Sequence, residues 1–251
     1  MHRFIASAEN IKDKITISNK KEIHHIQDVL RLKRNKEVII FDGRGNEYIS
    51  RIDSLSSQRV ELTVISREEN SSRKDWSVCL ACALPKKSKF DFIVEKATEL
   101  GADRIIPLKT TRTIVDLKKE REEKKLQHWR EIAVNSSKQS QRNSIPVVEK
   151  VATFNQAVQE VKKYDLGLIP CLPARRACLF AERQKIEEVL MRFKGKGIIV
   201  FIGPEGDFSP DEVSWAVKSG CQPVTLGGRV LKVDSAAFYT LAVINFISQI
   251  K

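Results

Sequence analysis

The sequence predicts an α/β protein with a mostly parallel β-sheet, preceded by a small N-terminal domain of short strands. From Trp76 onward, apolar strand runs alternate with amphipathic helical runs, which is typical of parallel sheets covered by helices on both faces. Before Arg67, short strand patterns are separated by glycine turns. The intervening segment 67–75 is polar and Ser-rich, as linkers often are. We therefore predict two domains, residues 1–72 and 73–251.

The predicted N-terminal domain contains one helix and three strands. Apolar residues recur at helical spacing in the helix and alternate with polar residues in the strands. A glycine-containing turn joins the first two strands. The helix is expected at Lys21–Leu32, the strands at Lys36–Asp42, Glu47–Ile52 and Arg59–Ser66, and the turn at Gly43–Asn46.

The predicted C-terminal domain alternates strands and helices along its length. Strands are expected at Trp76–Leu84, Asp103–Leu108, Asp165–Ile169, Gly197–Ile202 and Pro223–Leu226. Helices are expected at Lys89–Leu100, Asp116–Lys138, Thr153–Lys163, Arg183–Arg192 and Ala236–Ile250. The last helix is apolar on nearly every face, so we expect it to be buried or shared with another subunit.

The chain is strongly basic, with 44 Lys and Arg against 32 Asp and Glu and a net charge of +12. Residues 71–150 carry +7 of this charge, against +2 for residues 1–70 and +3 for residues 151–251. Such an excess favours a polyanionic partner, with most of the phosphate-facing surface in the middle of the chain. No apolar run approaches the roughly 20 residues that span a bilayer, so we expect nucleic acid rather than a membrane.

The five cysteines indicate a reducing compartment, because they are scattered and odd in number. Cys79 and Cys82 have C-x-x-C spacing but lie in an apolar run with no second pair nearby. We interpret them as buried structural thiols and predict no metal site. The N-terminus has no uninterrupted apolar signal segment, and we expect a cytoplasmic protein.

The segment Phe201–Glu212 is the first candidate site. An apolar strand ends in Gly203–Gly206, and a helix then begins with Ser209 as its N-cap, Pro210 in its first position and Glu212 completing a capping box. Ligands of parallel sheets bind beyond the carboxyl ends of strands, and glycines allow close backbone approach. The pattern matches neither a phosphate loop nor a dinucleotide fingerprint. Taken alone, a plain strand-to-helix turn is an equal alternative.

A second glycine turn, at Gly227 and Gly228, follows the predicted strand Pro223–Leu226. Two glycine turns at successive strand ends, followed by a buried helix, define one edge of a pocket. The stretch between Phe201 and Ala237 is therefore the predicted ligand site.

Several segments resemble the RsmE family of SPOUT methyltransferases. Its C-terminal signature is similar to GPEGDFSPDE and LGGRVLKVDSAA in this chain. Its N-terminal PUA-like RNA-binding domain is similar to HHIQDVLRLKRNKEVIIFDGRGNEY. The start of its catalytic domain resembles ALPKKSKFDFIVEKATELGADRIIPLKTTRTIV, and its central loop resembles KQSQRNSIPVV. The segments follow the family's order and cover most of the chain.

The resemblance implies a SPOUT-type, trefoil-knotted, mostly parallel sheet with a small N-terminal PUA-like β-barrel domain. It implies S-adenosyl-L-methionine as cofactor and methylation of N3 of a uridine in 16S rRNA of the small ribosomal subunit. It also implies a homodimer, because SPOUT enzymes usually complete the site across two subunits. The cofactor-binding residues that it implies are Gly203, Pro204, Glu205, Gly206, Leu226, Gly227, Leu231 and Ala236.

Three positions depart from the family pattern. The family often has two glycines where this chain has Gly206 and Asp207. It usually reads LRTET where residues 231–235 read LKVDS, and it often has a small residue at Gln141. These changes concern the fine placement of polar groups rather than the class of cofactor.

Two residues are candidates for catalysis. Arg142, in the central loop, is expected to donate to a uracil oxygen or to grip a phosphate. Asp234 is expected near the transferred methyl group as a polar contact or a base. The alternatives are a solvated surface arginine for Arg142 and an N-cap of the last helix for Asp234. For Glu205, a hydrogen bond within its own loop is as well supported as a cofactor contact.

Six basic residues are candidates for RNA binding, with solvated charge as the alternative. Arg31, Lys33 and Arg34 form a cluster in the N-terminal domain, and Lys86, Lys87 and Lys89 follow the first strand of the C-terminal domain. Two other functions stay open. One is a knotted methyltransferase for another RNA site or a ribose 2′-hydroxyl. The other is a noncatalytic RNA-binding protein of ribosome assembly.

Overall fold

The structure, a computed structural model, describes residues 1–69, 76–86, 89–113, 119–172 and 183–251. Its contacts divide the chain into two compact units. The first unit comprises Met1–Arg73 and Ser137–Ile145, and the second comprises Lys74–Ser136 and Pro146–Lys251. The predicted boundary between residues 72 and 73 lies outside the described residues and stays a prediction.

The first unit is built on five strands, a short α-helix and a following π-helical turn. The strands are β1 Arg3–Ile5, β2 Lys14–Ile17, β3 Glu37–Phe41, β4 Asn46–Leu55 and β5 Val60–Glu69; the helix is α1 Lys20–His24, and the π-helical turn is His25–Val29. The sheet order is β1-β3-β4-β5-β2, with β1 and β3 parallel and the other pairs antiparallel. Two irregularities in the β4–β5 ladder bend these long strands, as bulges do, so the sheet curls.

The core of the first unit is formed by alternate residues of the strands together with the helical segment. Phe4, Ile15, Ile40 and Leu62 from the strands meet Ile26 in a fully buried cluster. The helix and three strands predicted for this part of the chain are present. The predicted linker was wrong at its start, because β5 continues to Glu69 by pairing with the beginning of β4.

The segment Ser137–Ile145 belongs to the first unit although it lies far along the chain. Gly45 donates its backbone N–H to the carbonyl of Asn143 at 3.0 Å, and Ile145 donates to the carbonyl of Gly43 at 3.0 Å. Gly43 has a φ of +71°, and an added Cβ would lie 2.9 Å from a side-chain carbon of Ile145. The glycine turn therefore joins β3 to β4 and also hydrogen-bonds to the segment Ser137–Ile145 through its backbone.

The second unit is built on eight strands and six helices in the described residues. The strands are β6 Ser77–Ala83, β7 Arg104–Lys109, β8 Val147–Val148, β9 Ala152–Thr153, β10 Leu166–Pro170, β11 Gln184–Lys185, β12 Gly197–Ile202 and β13 Cys221–Thr225. The helices are α2 Phe90–Glu99, α3 Lys119–Gln139, α4 Phe154–Val158, α5 Ile186–Arg192, α6 Pro210–Lys218 and α7 Val233–Ile250; the last three residues of α3 belong to the first unit. The sheet order is β11-β13-β10-β12-β6-β7-β8, with β9 also paired to β7, and every pairing is parallel.

The central strands β6, β10 and β12 are buried along almost their whole length, as expected for a parallel sheet with covered faces. Within one core cluster, the Phe154 ring packs against the rings of Phe201 and Phe208, with centroid distances of 5.8 Å and 5.1 Å. Helix α7 packs against α2, α5, β6 and β12. The predicted α/β class with a mostly parallel sheet is confirmed. The trefoil knot stays a prediction.

Three predicted elements differ in their bounds. Gln184 and Lys185 were predicted to be helical, but they form β11 because they pair with Val224 and Thr225 of β13. The predicted helix Thr153–Lys163 is α4 followed by a 3₁₀ segment. Helix α7 begins at Val233, three residues earlier than predicted. Its N-cap is Lys232, so the N-cap role considered for Asp234 was wrong; Asp234 lies in the first turn.

Candidate functional site

An open cleft lies at the carboxyl ends of three neighbouring strands, β13, β10 and β12. Because the strands are adjacent and parallel, their ends lie at one edge of the sheet, where ligands of such sheets bind. The cleft is lined after β10 by Pro170, Cys171 and Leu172, around β12 by Ile202, Gly203, Pro204, Glu205 and Asp207, and after β13 by Thr225, Leu226, Gly227, Arg229, Val230, Leu231, Val233 and Ala236.

The turn after β12 is tight, and its backbone faces the cleft. A Cβ on Gly203 would lie 3.2 Å from the Phe208 ring, closer than the packed ring easily allows. Asp207 adopts a left-handed conformation with a φ of +60°. Its carboxylate accepts from the N–H of Phe208 at 2.9 Å and from the N–H of Leu172 at 3.1 Å. One aspartate therefore ties the end of β10 to the turn after β12.

The same turn is held from behind by the loop after β7. Ser209 and Glu212 form the predicted capping box of α6. The buried Glu212 carboxylate also accepts from the backbone N–H of Thr111 at 2.8 Å and from its hydroxyl at 3.1 Å. Arg112 donates to the carbonyl of Gly206 at 2.5 Å. The backbone that lines the cleft is thus fixed by contacts between distant parts of the unit.

The turn after β13 forms the opposite wall. Gly227 has a φ of +105°, which glycine adopts far more readily than other residues. Its N–H donates to the Thr225 hydroxyl at 3.2 Å, and that hydroxyl contacts the Gly227 carbonyl at 3.2 Å. Leu226, Leu231 and the first turn of α7 add apolar surface, so this wall combines exposed backbone with aliphatic side chains.

The segment after β6 lies beside the cleft. The N–H of Lys86 donates to the Glu205 carboxylate at 3.1 Å, and the Lys89 ammonium lies 3.5 Å from the Asp234 carboxylate. The fully buried Cys82 lies below these groups. Burial raises the pKa of the Cys82 thiol, and the charges of Asp234 and Glu205 raise it further. Cys79 is likewise buried, so the interpretation of both thiols as buried is confirmed.

Seven of the eight residues implied for cofactor binding line this cleft; Gly206 belongs to its turn but does not line it. Glu205 bonds the segment after β6 rather than its own loop. The sequence interpretation did not single out Pro170, Cys171 and Leu172. The strand-end rule, applied to the predicted strand Asp165–Ile169, would have found them.

Arg142 lies in the first unit, in the segment received by the Gly43 turn. Its N–H donates to the Ser137 carbonyl at 2.9 Å, and its guanidinium donates to the Ser144 hydroxyl at 3.3 Å. Arg3 anchors the same segment, because its guanidinium bonds both Asn143 and Glu47, the latter at 2.7 Å. Arg142 therefore lies on an ordered loop, and its side chain is half-buried rather than freely solvated.

The predicted RNA-binding residues that the structure describes are exposed. Arg31, Lys33 and Arg34 lie in the loop before β3, where Arg31 has a φ of +50°. Lys86 is also exposed, and Lys87 lies outside the described residues. In the described part of the chain, no group of three or more His, Cys, Asp or Glu side chains is placed to hold a metal ion.

Comparison with known proteins places this geometry in a family. A family model described as an RNA methyltransferase domain matches residues 72–245, and one described as an RNA methyltransferase PUA domain matches residues 17–65. Ribosomal RNA small subunit methyltransferase E of Synechocystis is 30% identical over 244 residues, covering 97% of this chain and 77% of that protein. The chain belongs to the ribosomal RNA small subunit methyltransferase E family.

Two further members of the methyltransferase E family extend the comparison. The Bacillus subtilis protein is 29% identical over 229 residues, covering 91% of this chain and 89% of that protein. The crystal structure of the Neisseria gonorrhoeae protein, bound to S-adenosyl methionine, superposes with a TM-score of 0.84 at 28% identity, covering 98% of both chains. The family resemblance inferred from the sequence is thereby confirmed.

Proposed function

We propose that this chain is an S-adenosyl-L-methionine-dependent methyltransferase that methylates N3 of a uridine in 16S rRNA of the small ribosomal subunit. The observation that carries the proposal is the cleft at three parallel strand ends, walled by two glycine turns. It occurs in a member of the methyltransferase E family, and the Neisseria relative of the same fold is bound to S-adenosyl methionine.

The residues of the cleft fit this cofactor. Adenine needs flat apolar walls and a few backbone hydrogen bonds, which Leu226, Leu231 and the two turns supply. Gly203 and Gly227 allow the backbone to approach the ligand, and Pro204, Gly206 and Ala236 complete the proposed binding set. The sulfonium of the bound cofactor supplies an already activated methyl group. The protein then has to place the acceptor nitrogen in line with it.

Arg142 and Asp234 are the proposed catalytic residues. Uracil N3 carries its proton at neutral pH, so methylation needs stabilisation of the anion that develops when the proton leaves. A guanidinium on an ordered loop is suited to donate to a uracil oxygen. Asp234, in the first turn of α7 between the cleft residues Val233 and Ala236, is suited to act near the transferred methyl group.

The 16S rRNA is the proposed partner of the exposed basic residues. Arg31, Lys33 and Arg34 present positive charge from the first unit, and Lys86 does so at the strand ends of the second. Each such contact to phosphate releases counterions, so binding should weaken with salt. Lys87 lies outside the described residues, and its contact with RNA is proposed from the sequence alone.

A homodimer is part of the proposal. Helix α7 exposes Tyr239, Phe246 and Ile250 along one face, with exposures of 41%, 63% and 57%, and Phe92 of α2 is also 47% exposed. Several large apolar side chains exposed along one face of a helix are typical of a subunit interface. Among the described residues, α7 is the one helix whose length and composition would allow it to cross a membrane. Because α7 packs against β6 and β12 of the sheet, we favour a dimer interface over a membrane span for its exposed face. We also propose that the protein is cytoplasmic and has no membrane partner.

The trefoil knot and the domain boundary at residues 72 and 73 are proposed on the family resemblance. Sheet order supports the knot, because β13 follows β12 in the chain yet lies beyond β10, between β10 and β11. The connection from β12 to β13 must therefore cross over β10.

Two measurements test the proposed function. Calorimetry with S-adenosyl-L-methionine should show binding by the full chain; its absence would favour a noncatalytic RNA-binding protein. Nucleoside mass spectrometry of 16S rRNA from a deletion strain should show loss of 3-methyluridine, restored by the gene. Persistence of 3-methyluridine together with loss of another methylated nucleoside would assign the enzyme to a different RNA site.

A further inference from the structure

The segment after β6 is fastened to both sides of the cofactor cleft. Lys86 bonds Glu205, which lines the cleft on the β12 side. Lys89 pairs with Asp234, which lies on the α7 side between the cleft residues Val233 and Ala236. The ion pair therefore lies next to the part of the cleft wall that Val233 and Ala236 form.

The pair is asymmetric in exposure. The Asp234 side chain is 19% exposed, and its second oxygen accepts from the N–H of Ser235 at 2.9 Å, so the carboxylate is held from two sides. The Lys89 side chain is 48% exposed, and its ammonium, which has three donors, forms an ion pair with Asp234 at 3.5 Å. Lys89 can therefore donate to a group that arrives from solvent while Asp234 keeps it in place.

The charges around Lys89 favour a neutral base over a phosphate. The Asp234 carboxylate lies 3.5 Å away, the Glu205 carboxylate borders the same cleft, and both act on the thiol of Cys82 beneath. A phosphate would bring a full negative charge towards two carboxylates when it binds. A uracil is neutral when it binds and becomes negative only as N3 loses its proton, and the Lys89 ammonium is the group that offsets this charge. Among the described residues, Lys86, the cleft residue Arg229 and the exposed N-cap residue Lys232 are further basic groups on the neighbouring segments.

We propose that Lys89 is a further catalytic residue, which donates a hydrogen bond to a uracil carbonyl oxygen and stabilises the N3 anion, and that Asp234 contributes to the reaction by holding Lys89 in place rather than by acting as a base. This inference rests on the proposed function. The N3 proton passes to solvent at the open side of the cleft. The N3 lone pair then forms the new N–C bond, the S–C bond breaks, and its electron pair stays on sulfur. Asp234 need not accept a proton in this step.

The test compares Lys89→Met with Lys218→Met, which removes an exposed lysine from the last turn of α6. Methyl transfer to small subunits from a deletion strain is measured from neutral to alkaline pH. Loss of a donor to a developing anion lowers kcat by about 100-fold. The rate of Lys89→Met should also level off at a higher pH than that of wild type, because the bound uracil loses its stabilised anion. Lys218→Met should match wild type, and calorimetry should give both variants the wild-type affinity for S-adenosyl-L-methionine.

Two further measurements separate catalysis from RNA binding. Subunits carrying 5-fluorouridine, whose N3 proton is more acidic, should recover part of the loss in Lys89→Met. Adding Asp234→Asn to Lys89→Met should lower kcat little further, because Asp234 acts through Lys89. A raised KM with unchanged kcat and pH profile would make Lys89 a phosphate contact and overturn the inference. If wild type itself forms no 3-methyluridine, the proposed function fails instead.

Discussion

Glu212 accepts a hydrogen bond from the backbone N–H of Thr111 at 2.8 Å, although the two residues are 101 positions apart. The same carboxylate accepts from the N–H of Ser209 at 2.8 Å, so one buried side chain caps α6 and fixes the loop after β7. Glu212→Ala leaves these donors without a charged acceptor and should lower the free energy of unfolding by about 3 kcal/mol.

Urea unfolding measures this loss, and Glu187→Ala is the matched control. Glu187 lies in the first turn of α5 but is exposed, so its removal should change stability by no more than about 0.5 kcal/mol. Equal stability of the two variants would show that the bridge to Thr111 does not stabilise the unit.

Alanine substitutions at Gly227 and Gly228 distinguish the effect of backbone conformation from the effect of steric space. A Cβ on either residue would meet no atom within 4 Å, but only Gly227 has a left-handed φ, at +105°. Gly227→Ala should therefore strain the turn by about 1–3 kcal/mol and weaken S-adenosyl-L-methionine binding at least several-fold. Gly228→Ala should bind as wild type does. Calorimetry checks both, and similar affinities for the two variants would contradict the assigned role of the Gly227 backbone.

Asp207 stands where the family often has glycine, and its left-handed φ of +60° explains that preference. Its carboxylate compensates by accepting from Leu172 and Phe208. Asp207→Ala loses both bonds and keeps the strained backbone, so we expect about 1–2 kcal/mol of destabilisation and weaker cofactor binding. Asp207→Asn keeps an acceptor and tolerates the conformation, and should lose less. The order of the two variants in thermal unfolding decides; a more stable alanine variant would refute this account.

Arg142→Ala should lower kcat for methyl transfer by about 100-fold or more and leave the affinity for S-adenosyl-L-methionine unchanged. The physical reason is loss of a guanidinium donor that the loop Ser137–Ile145 presents. Arg44→Ala removes an exposed arginine from the turn that receives this loop and serves as the charge-matched control. Methyl transfer to small subunits measures both. Full activity of Arg142→Ala would show that Arg142 is a surface residue without a catalytic role.

Phe246→Glu should convert the proposed dimer to a monomer, because it buries a charge in the apolar face of α7. Val147→Glu changes an equally exposed apolar residue on β8 and should leave the assembly intact. Light scattering at micromolar concentration gives the mass of each. A dimer that survives Phe246→Glu would place the interface elsewhere.

Local chemistry made much of this protein predictable from the sequence by itself. The strand and helix alternation after Trp76, the capping box from Ser209 to Glu212 and the two glycine turns each depend on residues close together in the chain. For the same reason the sequence determined the α/β class and marked both walls of the cleft around β12 and β13.

The tertiary structure decided what depends on distant pairing. Gln184 and Lys185 are a strand because β13 offers them partners, and Asp207 matters because Leu172 lies within reach. The pairing of Lys89 with Asp234 joins residues 145 positions apart, and no local pattern indicates it. Propensity and periodicity act over a few residues, whereas contacts between strand ends exist only once the sheet order has brought them together.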